Sequence, residues 1–206
     1  MRFKQNDFDD KVFRPNFYKP WILRDGTVPA PLHQTNPRTV LGRKWWDIER
    51  KRAYQKNKDC CWACGRHKMR VKGSLKRLEA HERYTYDYAK GRAYYKESCA
   101  LCPYCHGFIH SGRLLMLWEE GEETKRKVKR VIAHGLQILE RANLVPNPAS
   151  WLAADDLGLD IDWCDEPAEL DDPPKLAKWL DWRLVIDGHE YQGRFHSQAE
   201  WEEYYS

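Results

Sequence analysis

Two Cys-x-x-Cys pairs, Cys61/Cys64 and Cys102/Cys105, constrain this chain more than any other feature, with 37 residues between the pairs. Thiolates three residues apart can reach one ion, and Gly65 after the first pair supplies the tight turn such a knuckle needs. Four sulfurs close a tetrahedron around Zn²⁺, which predicts a structural zinc that holds the fold and leaves no open position for a substrate. Cys60 adjoins the first pair as a spare thiol, and Cys99, three before Cys102, leaves a shifted ligand set open. Seven cysteines, an odd number, fit a disulfide framework poorly. The opening MRFKQNDFDD lacks the apolar stretch of a signal peptide, so a reducing, cytoplasmic setting is expected, where paired cysteines more often hold metal. No apolar run approaches the roughly 20 residues that span a bilayer, so no membrane partner is expected.

The formal net charge of +4 conceals an asymmetry. Residues 147–206 hold 15 Asp/Glu against 4 Lys/Arg, whereas residues 1–146 hold 31 Lys/Arg against 16 Asp/Glu. A basic excess that coincides with the cysteine motif suits a polyanionic partner, DNA first, with RNA left open. The acidic tail suits a basic protein partner, a restraint on the basic half, or plain solvation of a small domain.

Prolines at 15, 20, 29, 31 and 37 rule out a long helix over residues 1–39. Phe8, Phe13, Phe17, Tyr18 and Trp21 in that stretch predict an extended arm that buries its rings. A helix is expected over 43–56, with Trp45, Trp46 and Ile48 on an apolar face and Arg43, Lys44, Arg50, Lys51 and Arg52 on a basic one. A strand is expected over 75–87, a turn around Gly91 and a second strand over 93–101. Pro103 then opens a short helix on which His106 and His110 share a face. Val128, Val131, Ile132, Leu136 and Leu139 give 122–144 a long helical period. Residues 151–164 carry little pattern, and 165–174 read as a linker. Asp187-Gly188 predicts a hairpin, and Ser197-Gln198-Ala199-Glu200 a capped last helix. His33, His67, His134, His189 and His196 have no partner spacing and are expected at the surface.

Between the cysteine pairs lies Leu78-Glu79-Ala80-His81-Glu82; the second pair stands in Leu101-Cys102-Pro103-Tyr104-Cys105-His106, with His110 four further on. Over roughly residues 43–112 this order resembles the HNH endonucleases, the zinc-stapled branch of the ββα-metal (His-Me finger) nucleases. The resemblance implies a zinc-bound, treble-clef-like ββα core. It implies His81 as general base, His106 as ligand to a catalytic divalent metal, Mg²⁺ or Mn²⁺, and His110 as the second histidine of colicin-type variants. It further implies phosphodiester hydrolysis that leaves a 5′-phosphate. Ala80 stands where the family carries an Asp or His metal ligand, and Glu97 where it carries an asparagine. Glu79, two before His81 and on the same strand face, is the candidate to supply the missing carboxylate. Glu97 is a candidate second oxygen ligand. A plainer reading makes His81 a strand-end hydrogen-bonding residue and His106 a zinc ligand or helix cap.

The expectation is an α+β protein. Residues 1–42 form an arm, 43–146 the zinc-bound HNH-like domain with flanking helices, and 147–206 an acidic linker, hairpin and helix. The expected function is a metal-dependent DNA endonuclease or nickase of phage or mobile-element type. The alternative is a catalytically degenerate zinc module that binds nucleic acid or a protein partner without cleaving.

Overall fold

The computed structural model describes residues 14–70, 77–121, 123–164 and 176–206, and several of its helices begin at side-chain caps. Cys102 Sγ accepts from the Cys105 amide at 3.5 Å and opens α2 (Pro103–Ile109), with Pro103 in the first turn where its missing N–H costs nothing. Thr124 opens α4 (Lys125–Arg141), Asn147 opens α5 (Pro148–Asp156) and Ser197 opens α6 (Gln198–Tyr205), each accepting from the amide three residues on. Helix α1 (Pro37–Lys56) starts earlier than the sequence pattern suggests and breaks at Gly42, whose φ of 82° lies outside helical space. With α3 (Ser111–Glu119) there are six α-helices among the described residues. Strands β1 (Glu79–Asp87), β2 (Arg92–Leu101), β3 (Arg183–Ile186) and β4 (His189–Gln192) form one sheet in the order β1-β2-β3-β4. The architecture is therefore α+β. None of these helices is long and apolar enough to cross a membrane.

The described residues cluster into two compact units, each drawn from three stretches of chain. The first takes residues up to Gly26, then Arg52–His81 and Cys99–Ala168. Its core holds the four paired cysteines, Trp62, Phe108, Ile22, Leu23 and the apolar face of α4, namely Val128, Val131, Ile132, Leu136 and Leu139. Trp62 is fully buried: its indole donates to Ala53 O at 2.9 Å, and Phe17 meets its ring edge-on at 5.0 Å. Asn57, also fully buried, ties the amino-terminal segment down, since its Oδ1 accepts from the amides of Asn16 and Phe17 at 2.8 and 3.1 Å. Two findings in this unit differ from the expected pattern. Tyr18 and Trp21 stay exposed, and Ile22 and Leu23 are the residues the arm buries. Residues 148–156 form α5, because Ala153 and Ala154 are small enough to be fully enclosed. The weak apolar period of that stretch hides this helix in the sequence.

The second unit takes Thr27–Lys51, Glu82–Ser98 and Glu169–Ser206. Here β3 pairs in parallel with β2, Ala93 opposite Leu184, and antiparallel with β4. Asp187 and Gly188 both have positive φ, 49° and 81°, as a two-residue hairpin turn of this hand requires. Leu32, Ala93, Trp182, Leu184 and Ile186 form the core, with Tyr84, Tyr86, Tyr95 and Tyr191 packed on it. The hairpin of the acidic segment is thus built into a sheet with β2. Ile48, expected on the apolar face of α1, is 60% exposed. Trp45 carries the packing instead, edge-on to Tyr95 at 5.7 Å. The expectations for Phe8, Phe13, the first two residues of the strand at 75–87 and the linker at 165–174 fall outside the described residues.

Candidate metal centres

The knuckle is shaped by its own backbone. The Cys61 amide donates to Arg66 O at 2.8 Å and the Gly65 amide to Cys61 O at 2.9 Å, which folds the loop back on itself. Gly65 has φ +72°, and the Tyr18 ring lies where a Cβ would sit, within 2.2 Å, so conformation and space both require glycine. The first cysteine pair is then carried to the second by the Trp62 amide, which donates to Ala100 O at 2.8 Å. Cys61, Cys64, Cys102 and Cys105 are all buried, at most 6% exposed, with their sulfurs within 4.8 Å of one another. All seven cysteines are free thiols. Sulfurs about 2.3 Å from a tetrahedral zinc would stand about 3.8 Å apart, and Cys64 Sγ and Cys102 Sγ are 3.8 Å apart.

Protonation equilibria point the same way. Cys102, accepting hydrogen bonds from Cys105, Cys61 and Cys64, is held well below the usual thiol range. Hydrogen bonding to Cys102 pushes Cys64 well above that range, and burial first of all does the same to Cys105. Burial and crowding of like groups disfavour ionising several thiols together, and a dication among them would favour their thiolate forms. The donor set, its burial and its spacing therefore fit a metal ion such as zinc. Cys60 and Cys99 are buried but stand outside this group. Burial first, then the neighbouring Cys61, pushes the Cys60 thiol up to about 11.

The second group is made of imidazoles. Strand alternation puts Glu79 and His81 on one face of β1, and both meet α2. His106 Nδ1 and Glu79 Oε2 are 2.6 Å apart. The His106 bond first of all holds the Glu79 carboxyl below its ordinary range. The His81 ring lies 5.4 Å from that of His106 and 5.2 Å from that of His110, and the last two are 4.8 Å apart. His110 caps the end of α2 and the start of α3, which keeps it one turn beyond His106. Ligand atoms of His81, His106 and His110 all lie within 4.8 Å of one another. The crowded His110 ring is pushed below its ordinary pKa by desolvation, then by His106 and Arg113.

Every cysteine and histidine expected at a metal thus falls into one of two groups, and among the described residues these are the groups of three or more side chains able to hold an ion. The carboxylates are placed differently. Glu79 stands beside the imidazoles as a partner of His106, not as a member of the ligand group. Glu97 belongs to the second unit, where its Oε1 accepts from Arg83 Nη1 at 3.2 Å, and it is not part of the imidazole group.

Three of the five histidines expected at the surface have internal partners. His33 Nδ1 accepts from the Trp201 indole at 3.0 Å, and His67 is buried, its Nδ1 accepting from the Met69 amide at 3.3 Å. His134 Nε2 lies 3.5 Å from Cys105 Sγ and 4.0 Å from Cys102 Sγ. The one sequence signal for that approach is Gly135 beside it, a glycine inside a strong helical period. Comparison with protein-family models, curated proteins and solved structures found no match for this chain.

Proposed function

We propose that this protein is a metal-dependent DNA endonuclease or nickase of the HNH type, built on a zinc-stapled ββα-metal core. The observation that carries the reading is the convergence of His81, His106 and His110 at the junction of β1 and α2, with His106 on the same short helix that carries Cys105. Tethering that helix to the knuckle through sulfur would hold the imidazoles in place.

In this reading His81 accepts the proton of the attacking water, a task suited to an imidazole near neutral pH. Glu79 holds the Nδ1–H of His106, which leaves Nε2 as the nitrogen available to an ion. His110, kept neutral by its surroundings, offers a lone pair instead of a positive charge. A divalent cation held by these nitrogens would polarise a phosphate oxygen and stabilise the leaving oxygen. Imidazole donors suit Zn²⁺, Ni²⁺ or Fe²⁺ better than Mg²⁺ or Mn²⁺, so those transition metals rank before the two ions the resemblance implies. Exposed Arg126 and Arg130 on α4 suit contacts to phosphates, which give affinity without sequence preference.

Supercoiled plasmid incubated with the protein and each of Mg²⁺, Mn²⁺, Zn²⁺ and Ni²⁺ should be nicked with at least one of them. His81→Ala and His106→Ala should each slow nicking about 100-fold or more. Plasmid left intact by native protein with every metal, yet retarded on a gel, would establish the second reading: a zinc module that binds nucleic acid without cutting. That reading draws on Ala80, which offers no ligand, and on Glu79, whose carboxylate is already engaged by His106.

A further inference from the structure

The imidazole of His134 approaches the tetrathiol group from outside. Its Nε2 is 3.5 Å from Cys105 Sγ and 4.0 Å from Cys102 Sγ, the two sulfurs of a single Cys-x-x-Cys pair. The group whose ligand atoms all lie close to one another comprises the four sulfurs and does not include His134. The geometry therefore describes a neighbour of the tetrahedron and not a corner of it.

The approach is built into the packing of α4 on α2. A Cβ at Gly135 would stand 2.1 Å from the Phe108 ring, and one at Gly107 would stand 3.1 Å from Val131 Cγ1. Glycine on each helix lets the two come together closely, and the close crossing delivers the residue before Gly135 to the sulfurs. The Tyr104 ring packs beside it, 5.4 Å from the His134 ring at a 55° tilt. Arg66 lies over the other part of this stack, its guanidinium 5.8 Å from the Tyr104 ring centre.

We propose that His134 is a positioning residue of the metal centre, donating its Nε2–H to the Cys105 thiolate. A thiolate on a metal can only accept, so the nitrogen facing it carries the hydrogen. A dication with four thiolates keeps a net charge of −2, and a donor aimed at one sulfur draws off part of that charge. Cys105 is then a poorer target for protons and electrophiles, and the ion leaves more slowly. The same bond ties α4 to the metal. This rests on the sulfur group holding a metal and not on any cleavage activity.

The test uses the full chain loaded with Zn²⁺ or Co²⁺. Zinc transfer to a colorimetric chelator should be about ten-fold or more faster for His134→Ala. His134→Gln, which keeps an N–H donor, should recover most of the difference. In the Co²⁺ form the sulfur-to-metal charge-transfer band should shift in His134→Ala while the ligand-field bands keep the intensity of a four-sulfur tetrahedron. Far-UV circular dichroism checks that each variant is folded; if His134→Ala is not, the comparison of His134→Gln with His134→Leu decides. Equal release rates for native protein and variants would overturn the role of His134 alone. Ligand-field bands showing a nitrogen donor in the native protein would overturn it too, by making His134 a ligand. A native protein that takes up neither ion would remove the metal centre and this proposal together.

Discussion

The first unit is organised around sulfur and the second around tyrosine. In the first, the helix that carries Cys105 and His106 is seven residues long, too short to persist by itself, and the cysteines sit at the middle of the apolar core. In the second, β3 is held on both edges by β2 and β4, and Tyr84, Tyr86 and Tyr95 pack over Leu184 and Ile186. Arg92 fastens this sheet further, with Nε 2.7 Å from Glu190 Oε1 and Nη1 2.6 Å from Asp181 O. No group able to hold an ion is found there among the described residues. The contrast teaches that one chain can use two different sources of order. One is a set of buried donors able to hold an ion between them; the other is a sheet under an aromatic cover.

The sharpest way to break this comparison is Cys105→Ser. It removes one corner of the tetrahedron, and a structural zinc contributes on the order of 10 kcal/mol of folding free energy. Amide exchange should become fast at Phe108, Val131 and Leu136 while Leu184 and Val185 remain protected. Loss of protection in both units together would show that they fold as one and that the contrast has no energetic meaning. A smaller effect is expected from Leu184→Ala, which empties a nearly fully buried site in the second core and should cost about 2–5 kcal/mol in denaturant melts. Zinc release from this variant should match the native rate; a faster rate would mean that the second unit supports the sulfur group.

The smallest effect is set by pH. Burial pushes the Tyr95 phenol up to about 12, with the charges of Glu49, Glu82 and Glu97 adding to it, and burial raises Tyr84 further. In the unfolded chain both titrate near the ordinary value of about 10. Between those values the unfolded state releases protons that the folded state keeps, so the second unit loses stability as pH rises through about 10 to 12 and is unaffected at neutral pH. Tyr95→Phe should flatten that alkaline loss when stability is followed by denaturant midpoint against pH. An unchanged alkaline slope would place the sensitivity elsewhere.

Much of the candidate site is legible in the sequence, because it is written in local spacings. A Cys-x-x-Cys loop and a Glu-x-His on a strand each fix relative direction through backbone period alone, and His110, expected on α2 with His106, stands instead as the cap just past its end, one turn on. The Asp187-Gly188 turn and the Ser197 cap are legible for the same reason, since the residue type satisfies a nearby backbone demand. The role of Glu79 was only half legible. The strand period gave its face, but its attachment to His106 depended on how close α2 lies.

What the tertiary structure alone decided has no local period to announce it. The parallel register of β3 on β2, with Arg92 opposite Arg183, joins residues far apart in the chain. The contact of His134 with sulfur depends on two glycines that let helices cross closely, and a glycine in a helical pattern looks the same whether it permits a crossing or merely weakens a turn. The enclosure of α5 depends on Ala153 and Ala154 being small where a neighbour is near. Spacing sets which side chains share a face; only packing sets what that face meets.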